Sequence, residues 1–305
     1  MQISSPITGK DNVKVLREFS TGDIVRRWSE LFGLNIENEF HGHDKIYLCL
    51  CVESGLRFYF PSDVAGSDSL YKSLSEKFDW YYGSEKWEFD IAFDIMKRFA
   101  PKSLLEIGAG RGHFIEKIQT LGISSLGLEF NKEALAFTKK KNLPIINSTM
   151  EAMIREKKNY DAVVSFEVFE HLTNPKAYLE ESLALLNKGG LLLIAVPNAK
   201  SFIRHADVAL EMPPHHMLSM DVGFFKYIAK TYDLEILKVL YEPLAEYHID
   251  YYIWMIKQGY FSFTPSRKVN KVISVFLSAF RKLLEFKTVR SFFRGQTIMV
   301  VFRKK

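Results

Sequence analysis

The stretch LLEIGAGRGHF, residues 104–114, decides how this chain is read. An apolar run reaches Glu106, glycines follow at 108, 110 and 112, and a helical pattern begins at His113. Glycines at a strand-to-helix turn let backbone approach a ligand closely, and the helix N-terminus offers free N–H groups. Two phosphate-binding patterns are excluded by residue identity. A P-loop ends in Gly-Lys-Ser/Thr, whereas this turn ends in Gly-His-Phe. The dinucleotide fingerprint G-x-G-x-x-G requires glycine where His113 stands. What remains is E-x-G-x-G-x-G. The next apolar run, SLGLEF (125–130), ends on Glu129, whose carboxylate is placed to accept hydrogen bonds from both ribose hydroxyls of a nucleoside. Phe130 beside it is placed to lie against the base.

Working outward, short apolar runs alternate with helical stretches. YDAVVSFE (160–167) and LLLIAVP (191–197) read as buried strands, and PIIN (144–147) as a brief one. Between them lie the helical patterns GHFIEKIQTLG, NKEALAFTKKKN and a third running from Asn174-Pro175 to Lys188-Gly189-Gly190. Helix MDVGFFKYIAKTY, strand LEILKVLY and a closing strand TIMVVFRKK follow. Near-continuous apolar strands separated by helices predict a parallel sheet covered on both faces, a doubly wound α/β domain. The front differs: a helix TGDIVRRWSELFG with Thr21 as cap, strands IYLCLC and LRFYF, then an aromatic-rich segment.

Five motifs in order resemble the class I S-adenosylmethionine-dependent methyltransferases: LLEIGAGRGHF, LGLEF, NSTMEAM, DAVVSFEVFEHLTNP and LLNKGGLLLIAVPN. The resemblance spans roughly residues 81–242 and the last strand. It implies a Rossmann-like fold with a mostly parallel seven-stranded sheet and S-adenosylmethionine as cofactor. It also implies cofactor contacts at Glu106, Gly108, Gly110, Gly112, Glu129, Phe130, Thr149, Met150, Phe166 and Glu167. Thr149 stands where the family often has the Asp that binds the adenine amine. The implied division is an accessory region at 1–80, the cofactor-binding domain at 81–242 with 295–305, and a basic helical insertion at 243–294.

PPHH (213–216) falls after the fifth strand, at the carboxyl edge where open α/β sheets bind ligands. It resembles a P-x-H-H element of a subgroup that includes bacterial polysaccharide-cluster and quinone-type methyltransferases. His215 and His216 are therefore the candidate catalytic residues, with His215 slightly favoured. A hydroxyl acceptor must lose its proton as the new bond forms, and imidazole suits that task. The expected reaction is O-methylation of a small-molecule or saccharide acceptor. A lipophilic quinol acceptor and a non-catalytic cofactor-binding subunit are the alternatives. Glu170-His171 and His113 read as structural. No metal is expected, although His41, His43, Cys49 and Cys51 raise the question; the C-x-C spacing departs from zinc knuckles. The aromatic cluster Trp80-Tyr81-Tyr82 with Trp87 and Phe89 reads first as core and second as a lid over the acceptor.

Of 305 residues, 47% are hydrophobic and 25% charged, as in an ordinary globular chain. Only two cysteines occur, which excludes a disulfide framework and points to a reducing cytoplasm. The opening MQISSPITGK has no apolar run of the kind a signal peptide needs. From residue 251 on, twelve Lys/Arg face Glu285 alone, so an acidic body carries a basic C-terminal segment. Residues 268–286 there form an apolar helical stripe bordered by Lys268, Lys271, Arg281 and Lys282. Docking on the protein's own sheet domain is the first expectation, contact with an anionic membrane the second, and nucleic acid a distant third.

Overall fold

The computed structural model of the protein describes residues 2–78, 81, 83–205, 207–261 and 267–305. Trp80 and Tyr82 of the aromatic cluster lie outside them. The chain begins with an antiparallel layer. Strand β1 (Val13–Ser20) runs against β2 (Lys45–Cys51), which pairs with β3 (Arg57–Phe60). Sequence reading missed β1 because most of its side chains are exposed, leaving no alternation to detect. Helix α1 (Thr21–Phe32) is capped by Ser20 rather than Thr21: Ser20 Oγ accepts from Asp23 N at 3.4 Å. The Thr21 hydroxyl instead donates to His43 O at 2.6 Å. Cys49 and Cys51 are free, buried thiols in β2, two residues apart as strand alternation requires. Among the described residues they join no cluster of metal-ligating side chains, and His43 pairs with Asp63 at 3.0 Å.

Helices α2 (Asp68–Lys77) and α3 (Trp87–Phe99) lead into the second layer. There β4 (Ser103–Ile107), α4 (His113–Gln119), β5 (Ser124–Leu128), α5 (Lys132–Lys140) and β6 (Ile145–Ile146) alternate. Helix α6 (Met150–Arg155), β7 (Tyr160–Phe166), α7 (Pro175–Ala184) and β8 (Leu186–Pro197) continue the pattern. The starts of α5 and α7 are written in the sequence. Asn131 and Asn174 accept from Ala134 N and Ala177 N at 2.9 and 3.1 Å, and Pro175 follows the second cap. Helix α7 stops at Ala184, four residues before the expected Lys188. Asn187 to Gly190 bulge at the start of β8, where Tyr160 pairs with Leu186 but Ala162 with Leu191.

A two-residue strand β9 (Leu218–Ser219), helix α8 (Val222–Thr231) and β10 (Leu234–Pro243) follow. Beyond them lie α9 (Ile249–Phe261), α10 (Arg267–Leu283), α11 (Lys287–Arg290) and β11 (Arg294–Lys304). The seven-stranded sheet has the order β10-β11-β8-β7-β4-β5-β6. Strands β6, β5, β4, β7 and β8 are mutually parallel, and β11 runs antiparallel between β8 and β10. This is a Rossmann-like sheet whose strand order reverses direction between β4 and β7. Alternate residues of one strand feed opposite cores: Leu192, Ile194 and Val196 enter one, Leu191, Leu193 and Ala195 the other. The first core also holds Trp28, Ile46, Leu56 and Leu74, so the N-terminal layer packs directly on that face of the sheet. β9 pairs with β3, completing the smaller sheet from a segment that follows β8.

The apolar stripe of α10 divides in two. Leu277 and Leu284 are buried with Phe280 against Met255, Tyr252 and Phe202, forming a small third core. Val269, Val272, Val275, Phe276 and Leu283 are exposed. The docking expected of the whole stripe holds for one side of the helix, and the surface it meets is α9 with the turn at Phe202–His205 rather than the large sheet.

At the opposite end of the sheet from the glycine turn, Asp161 clamps three central strands. Its carboxylate accepts from Lys102 N at 2.9 Å, Ser103 N at 3.2 Å and Asn187 Nδ2 at 2.9 Å. The Asn187 bond is the largest influence holding its pKa below the usual value, against a smaller opposing effect of burial. A depressed carboxyl pKa stabilises the fold above the unfolded value near 3.9 and loses that contribution as pH falls through the folded value. Asp161→Ala is expected to lower stability by about 1–2 kcal/mol at neutral pH, with the difference from wild type shrinking below about pH 4. Urea denaturation of both proteins at pH 7 and at acid pH measures this.

Candidate functional site

The carboxyl ends of β4, β5 and β7 open into a cavity of about 1220 Å³. Backbone geometry at the turn after β4 explains its glycines. Gly108, Gly110 and Gly112 have φ of 75°, 53° and 77°. A Cβ on Gly108 would stand 2.4 Å from Val168 Cγ2, and one on Gly112 2.5 Å from Ile145 Cδ1. Gly108 and Gly110 line the cavity; Gly112 instead lets α4 pack closely against the β6 region. Glu129 follows β5, and its carboxylate accepts from Gly110 N at 2.7 Å, Phe130 N at 2.8 Å and Asn131 N at 2.7 Å. The carboxylate and the glycine turn are thereby locked together at the cavity wall.

Glu106, Phe130, Phe166 and Glu167 also line the cavity, Phe130 with 60% of its surface exposed. Thr149 and Met150 do not. Thr149 Oγ1 caps α6 by accepting from Ala152 N at 3.1 Å, and Met150 packs against the first core, its sulfur 3.6 Å from Ser182 Oγ. The adenine contact expected of these two residues has no counterpart in the lining.

The same cavity continues to the histidines. Two separate pieces of chain bring them together. A 3₁₀ turn after β7 (Phe169–His171) carries Glu170 and His171, and the loop before β9 carries His215 and His216. The loop is pinned at several points: Gly66 N donates to Pro214 O at 2.7 Å, and Met217 N to Glu170 O at 2.8 Å. The imidazoles pack edge-on or stacked, with ring centroids 4.5–4.8 Å apart. His171 Nδ1 lies 2.6 Å from His215 O, and His215 Nδ1 lies 2.9 Å from Leu210 O. His216 Nδ1 lies 3.4 Å from Glu211 Oε2. Tyr71 of α2 and Tyr81 reach in from the N-terminal side, with Tyr81 Oη 3.3 Å from His215 Nε2. Phe89 of the aromatic cluster is partly buried, 5.4 Å from the Phe166 ring, and together with Trp87 and Tyr81 it also lines the cavity. In the sequence His171 reads as structural, because a residue shortly after a strand carries no sign of a partner 44 positions on.

Charge is unevenly spread in this cavity. Glu106 Oε2, Glu167 Oε1 and both oxygens of Glu170 are buried without a hydrogen bond of ordinary geometry. Burial lifts the Glu106 carboxyl well above its usual range, and Glu129 adds to that. Glu167 is raised in the same way by burial, then by Glu170 and Glu88, and Glu170 is pushed up to about 7 by burial. Burial drives His171 down to about 3 and His215 well below its usual value, each helped by the neighbouring His216. Burial also opposes charge on His216, but Glu211 and Glu170 outweigh it and raise that imidazole.

A doubly wound sheet, a glycine turn after its strand β4, Glu129 beside that turn and buried acidic oxygens without hydrogen bonds thus meet at one cavity. Residues 84–239 match the profile of a family described as a methyltransferase domain. The chain belongs to the class I S-adenosylmethionine-dependent methyltransferases, whose cofactor is S-adenosylmethionine. An uncharacterized protein of Methanocaldococcus jannaschii is 24% identical over 44% of this chain and 64% of its own length. A ubiquinone biosynthesis O-methyltransferase of Pelagibacter ubique is 34% identical over 33% of this chain and 45% of its own. The matches therefore span between 45% and 64% of those two relatives. Among solved structures, a SAM dependent methyltransferase from Archaeoglobus fulgidus aligns over 71% of this chain and 94% of its own, at 20% identity and TM-score 0.47. A plantazolicin methyltransferase in complex with a triazolic desmethylPZN analog and SAH aligns over 78% of this chain and 95% of its own, at 18% identity and TM-score 0.48.

The cofactor fits the residues present: Gly108 and Gly110 bring side-chain-free backbone to the cavity wall, and Glu106 Oε2 is a buried acceptor without a hydrogen bond. Glu129→Ala is expected to weaken S-adenosylmethionine binding at least tenfold by calorimetry. Thr149→Ala should change affinity less than threefold while lowering stability by about 1 kcal/mol, the usual cost of a lost helix cap.

Proposed function

We propose that the protein transfers the methyl group of S-adenosylmethionine to an oxygen of a small-molecule or saccharide acceptor. The observation that carries this reading is that His215 and His216 border the same cavity as the glycine turn and Glu129. S-adenosylmethionine supplies a sulfonium-borne methyl carbon, which the acceptor oxygen takes as the C–S bond breaks. In this reading Glu106, Gly108, Gly110 and Glu129 hold the cofactor, Gly112 supports the turn, and Phe166 and Glu167 close the wall between cofactor and acceptor. The acceptor hydroxyl enters beside Tyr71, Tyr81 and the histidines, and its proton passes to an imidazole of the His215–His216 pair. Positioning supplies much of the rate, because nucleophile, carbon and sulfur must stand in line.

We read the chain as an accessory region (1–80), a cofactor-binding domain (81–242 with 295–305) and a basic helical insertion (243–294). The accessory region then forms one wall of the acceptor pocket. A cofactor-binding subunit without catalysis would release no S-adenosylhomocysteine. His215→Ala and His216→Ala are expected to leave S-adenosylmethionine binding intact while at least one loses a hundredfold or more in turnover, in line with general-base effects of about 10²–10⁴. Undiminished turnover in both variants removes an imidazole base from the mechanism.

The exposed half of the α10 stripe favours a second reading, a lipophilic acceptor such as a quinol met at an anionic membrane. Val272 and Phe276 are 70% and 63% exposed, with Lys271, Lys282 and Lys287 exposed on the same segment. No helix among the described residues is long and apolar enough to cross a membrane, so contact of this kind is peripheral. The protein is expected to float with phosphatidylserine-containing liposomes at low salt and to detach at high salt, while Val272→Asp/Phe276→Asp stays unbound at either. Flotation that the double variant does not abolish would sink this reading.

A further inference from the structure

We propose that His171, His215 and His216, together with Glu170, form a binding site for one divalent first-row transition-metal ion at the acceptor end of the cavity. Each of the three histidines offers a ring nitrogen, and the three nitrogens lie within 4.8 Å of one another. A carbonyl oxygen can only accept, so the short contacts of His171 and His215 to main-chain carbonyls place their protons on Nδ1. That leaves Nε2 as the lone-pair nitrogen of both rings; on His215 it also faces Tyr81 Oη at 3.3 Å, a contact the ion would replace. Glu211, 3.4 Å from His216 Nδ1, holds the third ring in the same sense. Metal-bound histidines characteristically donate their other N–H to a carbonyl or carboxylate, which fixes the tautomer and aims the ligating nitrogen. Here all three rings carry that support.

The carboxylate is an independent observation. Glu170 is 1% exposed, and neither of its oxygens makes a hydrogen bond of ordinary geometry. Its Oε1 stands 3.8 Å from His171 Nε2 and 3.9 Å from His216 Nε2. These separations are too long for hydrogen bonds. They match two ligands about 2.0–2.2 Å from a shared ion. A purely structural histidine cluster would leave Glu170 buried without a partner, which is costly. A cation relieves that cost and balances the acidic wall of Glu167, Glu170 and Glu211. Three imidazoles with one carboxylate suit zinc, cobalt, nickel, iron or manganese, whereas magnesium and calcium prefer all-oxygen sites.

This inference rests on reading the histidine end of the cavity as the acceptor pocket; it keeps that pocket and the oxygen acceptor and replaces the imidazole base with a metal ion. With the ion in place the imidazole lone pairs are committed to it. The acceptor hydroxyl becomes a ligand of the ion, its O–H bond breaks, and the proton passes to a carboxylate lining the cavity instead of to a histidine. The oxygen then attacks the methyl carbon as the C–S bond breaks.

The test uses full-length protein stripped with EDTA. Titration with Zn²⁺ or Co²⁺ is expected to show one ion per chain, with visible Co²⁺ absorption of low-symmetry nitrogen and oxygen ligation. His171→Ala, His216→Ala and Glu170→Gln should each weaken binding at least tenfold, while His43→Ala, whose ring pairs with Asp63 elsewhere, should not. Circular dichroism and S-adenosylmethionine titration check that each variant is folded. Absence of a stoichiometric ion, or equal affinity in the folded His171 and His216 variants, overturns the site. Equal turnover by stripped and loaded enzyme overturns its part in acceptor activation. Normal metal titration with no methyl transfer to any hydroxyl acceptor would instead sink the O-methylation reading and leave the metal site standing.

Discussion

Several carboxylates share one buried cavity, and the way they are or are not satisfied organises everything around it. Glu129 accepts three main-chain N–H groups and so acts as a rigid strut for the glycine turn, with acceptor capacity left for one further donor. Glu106, Glu167 and Glu170 are the opposite: oxygens taken out of water with no donor supplied. A protein surrenders stability by holding such groups, because desolvation disfavours their charged form and neighbouring carboxylates compound it. Raised carboxyl pKa values cluster at functional sites for this reason. Here the sum of the arrangement is a lining of acidic groups whose ionised form a cation beside them would favour, around a cavity of about 1220 Å³.

The two sheets have to be understood together. The smaller one is completed by β9, which follows the histidine loop after a single residue, Met217. Anchoring those strand residues against β3 fixes one end of the loop, and the bond from Gly66 N to Pro214 O fixes the other. Tyr71 then comes from α2 and Tyr81 from the segment that follows. The N-terminal layer therefore shapes the histidine pocket directly, and any loosening of the contact between layers moves the imidazoles relative to the glycine turn.

Much of this was legible. The strands from residue 103 onward carry apolar runs bounded by glycine, asparagine and proline, and the sheet follows from them. The glycine turn and Glu129 could be placed because backbone constraint and carboxylate chemistry are local properties. The failures share a cause. Thr149 holds the motif's adenine position, yet it lies outside the cavity lining and its oxygen accepts from the nearest free N–H, a demand that every helix start makes. Glycines signal helix stops and so place the end of α7 at Lys188; here they serve a bulge. Strand β1 is exposed and shows no period. Above all, the meeting of Glu170 and His171 with His215 and His216 depends on two turns forty-five residues apart arriving at one sheet edge. Spacing within either segment carries no trace of it.

The insertion between β10 and β11 joins two features that sequence reading treated separately. Its first turn places Tyr247 and His248 in the cavity lining, and the exposed apolar residues lie on α10, beyond α9. Arg281 of α10 holds Asp250 in the first turn of α9 at 2.5 Å, two residues after His248. Phe202 packs against His248, Tyr251 and Tyr252, and so ties α9 back to the segment that follows β8. A short chain of packed side chains thus connects the cavity lining to the apolar surface. A lipid surface engaging α10 would therefore act on the element that presents Tyr247 and His248 to the cavity, whereas an acceptor free in solution would make no use of that connection.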